Sequence, residues 1–190
     1  MSKLEVNKQE VVNIYNNSTS EQKEVMKKLF GEFFDVRDRV KTFEDACNEL
    51  GKDHVFFKEY VLCQENGCSN DLIAYLKLRI ITAALNEGWA PDWMNSNEWK
   101  YYPWLCLYTE DEYNDLDADD KERCCRVVGR SNYSANASGG LVYAYAVNAS
   151  SFSNTYDGSR FALKTRELAL YAGKQFVDIY SELNGIWKLL

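Results

Sequence analysis

Residues 71–88, DLIAYLKLRIITAALNEG, decide the architecture. Their apolar residues fall on nearly every face of the helix they predict, with Asp71 as N-cap, Gly88 as stop and Pro91 beyond. A helix that is apolar all round is buried, so this one should be central, with the remaining elements built around it. It is too short for a membrane span and carries Lys77 and Arg79. Two positions apart, these cations face nearly opposite ways, so at most one can point at any given site.

On the N-terminal side, residues 36–62 keep a helical pattern. Thr42 is placed to cap a helix stopped at Gly51, and Asp53 to cap a second carrying Phe56, Phe57 and Tyr60; residues 64–70 read as a loop. Earlier still, Asn7 with Glu10 and Ser18 with Glu21 have the spacing of capping boxes. Val25, Met26, Leu29, Phe30 and Phe33 form one stripe, and a short turn at Asn16, Asn17 and Ser18 folds the two helices into a hairpin. Such a pair has too little core to stand alone. Residues 1–34 are therefore expected to be a module that packs on a domain of residues 35–190 or docks on a partner, another copy of the chain included.

On the C-terminal side the pattern changes. Residues 100–108, KYYPWLCLY, alternate as a strand, although Pro103 cannot donate to a ladder and argues for an edge or a bulge. Residues 110–122 are strongly acidic and read as a solvated loop or short helix. Residues 141–147 alternate, which places Tyr143, Tyr145 and Val147 on one face. A short strand is expected at 159–163, and Thr165 caps a final helix whose Leu168, Ala172, Phe176, Ile179 and Leu183 share a face. The expected fold is α+β: an N-terminal helical hairpin, a helical layer packed on a small mainly antiparallel sheet, and a closing C-terminal helix.

Composition narrows the function classes. The chain has 190 residues, of which 46% are hydrophobic, 14% aromatic and 27% charged, values of a globular protein. Its net charge of −7 is concentrated in residues 61–126, so duplex nucleic acid is not an expected partner. The start, MSKLEVNKQEVV, lacks the apolar core of a signal peptide. Six cysteines without CxxC spacing and one histidine, His54, argue against zinc; free, mostly buried thiols in a cytoplasmic protein are expected. No cofactor is implied.

The motifs GxSxG, HExxH, GxxxxGK[ST] and GxGxxG do not occur. His54 reads as a half-exposed helical residue with no nucleophile near it in sequence. Ser131, Ser134 or Ser138 would need a base from elsewhere, and a carboxylate pair among the 29 acids stays open. A binding site fits better. Trp89, Trp93, Trp99, Trp104, Tyr101 and Tyr102 crowd residues 89–104, mostly as packing, with one or two as pocket wall. Residues 127–160 carry only Arg130, Asp157 and Arg160 as charges among Ser, Asn, Gly, Ala and Tyr. Two guanidiniums bracketing such a stretch suit phosphate or carboxylate, unless Asp157 pairs with Arg160. The expected ligand residues are Arg130, Tyr143, Tyr145, Arg160, Lys164 and Trp104.

Three stretches, LIAYLKLRIITAALNEGWAPDW, KYYPW and GSRFALKTRELALYAGKQFVDIY, resemble an uncharacterised family encoded by phages and prophages of gut Bacteroidales. The likeness covers about residues 36–183, and VNKQEVVNIYNNSTSEQKEVMKKLFGEFF looks like a module that recurs before different domains in such phages. It implies a phage protein in the cytoplasm of the bacterial host and supplies no catalytic residues. A second likeness is to C-type-lectin-like domains of the formylglycine-generating type, from which Gly158, Ser159 and Arg160 depart at the middle residue. The reading is thus a non-enzymatic binder of a small phosphate-bearing ligand, in a phage setting one that sequesters a nucleotide-derived host immune signal. The alternatives are a virion structural or recognition module with a lectin-like surface, and a nucleotide-processing enzyme.

Overall fold

The computed structural model describes residues 6–107, 114–119, 121, 130–131, 141–149, 160–184 and 186–187. Along them run α1 (Lys8–Asn16), α2 (Ser20–Phe30), a 3-10 turn (Gly31–Phe34), α3 (Val36–Arg39), α4 (Phe43–Leu50), α5 (Val55–Glu65), α6 (Asn70–Asn86), β1 (Lys100–Leu107), β2 (Arg130–Ser131), β3 (Leu141–Ala149), α7 (Arg166–Gln175), α8 (Val177–Leu183) and β4 (Ile186–Trp187). The fold is mixed and mainly helical. No helix among the described residues is long and apolar enough to cross a membrane.

The stretch that is apolar all round is the central helix α6. Leu78, Ile80, Ile81 and Leu85 are fully buried, and α4, α5 and α8 pack around them. The two cations diverge: Lys77 reaches Glu182 on α8 at 3.6 Å, while Arg79 reaches Glu59 on α5 at 2.9 Å and lies 3.7 Å from the centre of the Phe56 ring.

Helix starts are where local reading slips by a residue. Thr42 caps α4 as expected, in a capping box with Asp45. The cap of α2 is Thr19, boxed with Gln22, because Thr19 holds the extended backbone a cap requires; Ser18 instead donates to Ile14 O. Similarly His54, not Asp53, caps α5, its Nδ1 accepting from the Phe56 amide at 3.2 Å. Ser69 stands at the start of α6, and Asp71 lies inside its first turn. The closing helix is two helices. Phe176, buried in the core, leaves helical geometry at φ −112° and ψ 25°, so that α7 packs on β1 and β3 while α8 packs on α6. One straight helix cannot serve both layers.

Among the described residues the strands form two separate two-stranded antiparallel ladders, β1 with β3 and β2 with β4, not one sheet over residues 100–163. Of the strand expected at 159–163, the described residues 160–163 hold a single bridge, Leu163 with Tyr101, and Arg160 lies in a turn.

The N-terminal helices have a core of their own, Val11, Tyr15 and Phe34, with Tyr15 stacked on Phe34 at 4.5 Å. They meet the body through charge. Arg39, whose side chain is 1% exposed, lies 4.9 Å from the Tyr15 ring centre and pairs with Glu49 and Glu87. Glu87 also accepts from Lys27 of α2 and from Lys164, at 2.8 and 2.9 Å. Burial opposes ionisation of Glu87, but the bonds from Lys27 and Lys164 outweigh it and hold its pKa below the ordinary value.

Glu87→Gln should lower stability by about 2 kcal/mol, the scale of a hydrogen bond to a charged group. Since the folded pKa is depressed, this stabilisation is present above the ordinary carboxylate pKa and lost as pH falls through the folded value. Urea melts from neutral to acid pH should show variant and wild type converging at the acid end. Deletion of residues 1–34 removes the separate small core and leaves the main one, so the remainder should still melt cooperatively; an insoluble remainder would assign the hairpin to the main core.

Candidate functional site

Strand β1 positions the residues singled out above. On one edge Tyr101 exchanges two backbone bonds with Leu163, at 3.1 and 2.6 Å; along the other runs β3. Backbone polarity alternates along a strand, so Tyr101 and Pro103 face the Leu163 edge and Tyr102 and Trp104 face β3. The amide that Pro103 lacks is therefore not missed by the β3 ladder. The ladder slips between Trp104 and Leu105: Trp104 stands opposite Tyr145 and Leu105 opposite Tyr143, leaving Ala144 without a partner. The uninterrupted alternation expected through 141–147 is broken there.

Asn86, the buried last residue of α6, clamps the segment on the Leu163 edge. Its amide nitrogen donates to Ala162 O at 2.8 Å, and its oxygen accepts from the Lys164 amide at 3.1 Å. Arg160 emerges just before this clamp and is exposed. Lys164 follows it, and its ammonium is taken up by Glu87. Trp104 is half-buried on β1. Tyr143 and Tyr145 are placed by register on β3, and Arg130 lies opposite Trp187 in the β2–β4 ladder. The side chains of Arg130, Tyr143 and Tyr145, along with Asp157, Ser134 and Ser138, lie outside the described residues, and so does any meeting of the two guanidiniums.

The aromatic run divides. Tyr102 is buried, Trp89, Trp93 and Tyr101 are half-buried, and Trp99 is 56% exposed. Lys100 among them is fully buried. Its ammonium donates to Asn95 O at 2.8 Å, pairs with Glu98 at 3.2 Å and lies 5.6 Å from the Trp93 ring. Glu98 also accepts from the Asp92 amide at 2.8 Å, so one lysine organises the loop leading into β1. Sequence reading missed this residue, because a lysine at a strand start looks like a solvated one.

Two polar cavities on the helical body have none of the expected ligand residues in their walls. One of about 460 Å³ is lined by Asp35, Arg37, Asp38, Lys41, Tyr171 and Gln175. Of its two cations, Arg37 is bound to Asp35, and Tyr171 donates to the carbonyls of Arg37 and Val40. Burial, then the negative charges of Asp45, Asp38 and Asp35, push the Tyr171 phenol up to about 12, so it is a neutral structural donor. A second cavity of about 340 Å³ is lined by Cys63, Gln64, Cys68, Asn70, Ile73, Lys77 and Glu182. Of the cysteines whose side chains are described, Cys47 is buried and Cys63 and Cys68 are half-buried, all three free; Cys106, Cys124 and Cys125 lie outside that description. Comparison with protein-family models, curated proteins and solved structures gives no match for this chain.

Lys100→Met keeps the side-chain length and removes the charge. It should cost about 1–3 kcal/mol, the scale of lost bonds to a charged group. Hydrogen exchange should report faster opening of residues 92–98, with the α6 amides unchanged.

Proposed function

We propose that this chain is a non-enzymatic binder of a small phosphate-bearing molecule. In the phage setting that its sequence resembles, it would sequester a nucleotide-derived host signal in the bacterial cytoplasm. The observation that carries the reading is the arrangement across β1. The segment that bridges Tyr101 through Leu163 begins at a turn where Arg160 is exposed, and three residues further along β1 the half-buried Trp104 stands opposite Tyr145 of β3. An exposed guanidinium beside one edge of β1, with a half-buried indole and a tyrosine position paired across its other edge, combines a phosphate fork with aromatic surface for a base. Lys164 contributes to the local field while bound to Glu87.

A second reading has its own observation. Ile14, Val25 and Leu29 of the hairpin are 58%, 55% and 69% exposed, an apolar face suited to docking in a virion structural or recognition module.

The test is a panel of linear and cyclic nucleotides scored by melting temperature. A ligand at a hundredfold excess over Kd stabilises the folded state by about 2.7 kcal/mol, a rise of roughly 5–10 °C for a chain of this size. At least one nucleotide should give such a rise, be recovered unchanged, and lose its effect in Arg160→Ala. No shift with any nucleotide, together with the protein in purified particles, would favour the docking module; conversion of the ligand would make the chain an enzyme.

A further inference from the structure

The end of α5 brings two cysteines together. The Cys68 amide donates to Cys63 O at 3.0 Å, and the Gly67 amide donates to Gln64 O at 3.2 Å. These bonds close six and four residues, with Gly67 at φ +63° between them, which makes the helix end a Schellman motif. In that motif the third residue from the helix end meets the second residue beyond the cap, ordinarily as an apolar contact. Here those two residues are Cys63 and Cys68. Both are half-buried and line the cavity of about 340 Å³, with Lys77 and Glu182 in the same wall and Asn70 and Gln64 beside them. The backbone has already closed the small ring that a disulfide would require.

We propose that Cys63 and Cys68 form a reversible intramolecular disulfide by exchange with small disulfides of the glutathione class. The neighbouring Cys68, then burial and Glu59, raise the Cys63 pKa, which favours Cys68 as the attacking sulfur. The Cys68 thiolate displaces one small thiolate from the disulfide, leaving a mixed disulfide on Cys68. Cys63 then gives up its proton, and its sulfur attacks Cys68 Sγ and expels the second small thiolate. Both expelled thiolates take up the protons that the cysteines lost. The sum is protein dithiol plus small disulfide giving protein disulfide plus two small thiols. Lys77 in the cavity wall favours the thiolates, while Glu182, which it meets at 3.6 Å, and Glu59 oppose them.

The site is separate from the strand-borne ligand site, so its test stands apart. Trypsin releases residues 59–77 as one peptide containing these two cysteines and no other. Folded protein equilibrated in glutathione redox buffers, acid-quenched and digested should yield that peptide lighter by two hydrogens, reversibly with dithiothreitol. The disulfide-to-dithiol ratio at a given buffer should be at least tenfold higher than for protein equilibrated in urea, since the motif preorganises the pair. Cys63→Ser should hold one glutathione on Cys68, the intermediate that the wild type resolves. A peptide that stays reduced in fully oxidised buffer, accumulates a stable glutathione adduct in the wild type, or gives equal ratios folded and unfolded overturns the proposal.

Discussion

One carboxylate ties this molecule together. Glu87 stands just past the end of α6 in left-handed backbone geometry, φ 49°, where it takes bonds from Lys27 of the hairpin, Arg39 of α3 and Lys164 of the segment beside β1. Three basic groups around one acid would repel one another without it. The neighbouring Asn86 fastens the backbone of Ala162 and Lys164 from the same helix end. The last two residues after the core of α6 therefore set where the hairpin sits, where the Arg160 turn sits, and how the second edge of β1 is occupied. Buried Arg39 makes the dependence strict, because its charge has left water and must be met by Glu49 and Glu87.

What was legible in the sequence is what depends on neighbours along the chain. The all-round apolarity of α6, the Thr42 cap, the Gly51 stop and the divergence of Lys77 from Arg79 follow from helical periodicity and cap chemistry. Caps were misplaced by one or two residues where two candidates adjoin, as with Ser18 and Thr19 or Asp53 and His54, because extended backbone geometry at the cap decides between them. The Glu87 network was not legible, since its partners lie 48, 60 and 77 positions away.

The candidate site divides in the same way. Arg160 and Trp104 were readable as a charge isolated in an uncharged stretch and a ring in an aromatic run, whereas the pairing of Trp104 with Tyr145 depends on a register that composition lacks. Lys164 was readable as a cation but not as one already spoken for by Glu87. Lys100 needed its burial to be known before it meant anything. The signal for the Cys63 and Cys68 pair was present in the sequence: a glycine with cysteines four residues before and one after. It is silent until the glycine is known to end a helix.

The break at Phe176 has a consequence for how the chain is made. Because α8 packs on α6, the central helix keeps one side uncovered until residues 177–183 have been synthesised. About ninety residues separate the two helices, which at ordinary synthesis speeds of 5–20 residues per second is roughly 5–20 s. During that interval the face of α6 that α8 covers stays open. The nascent protein is thus exposed to aggregation for a period set by translation and not by its own folding rate, and slower codons after residue 86 would lengthen that exposure.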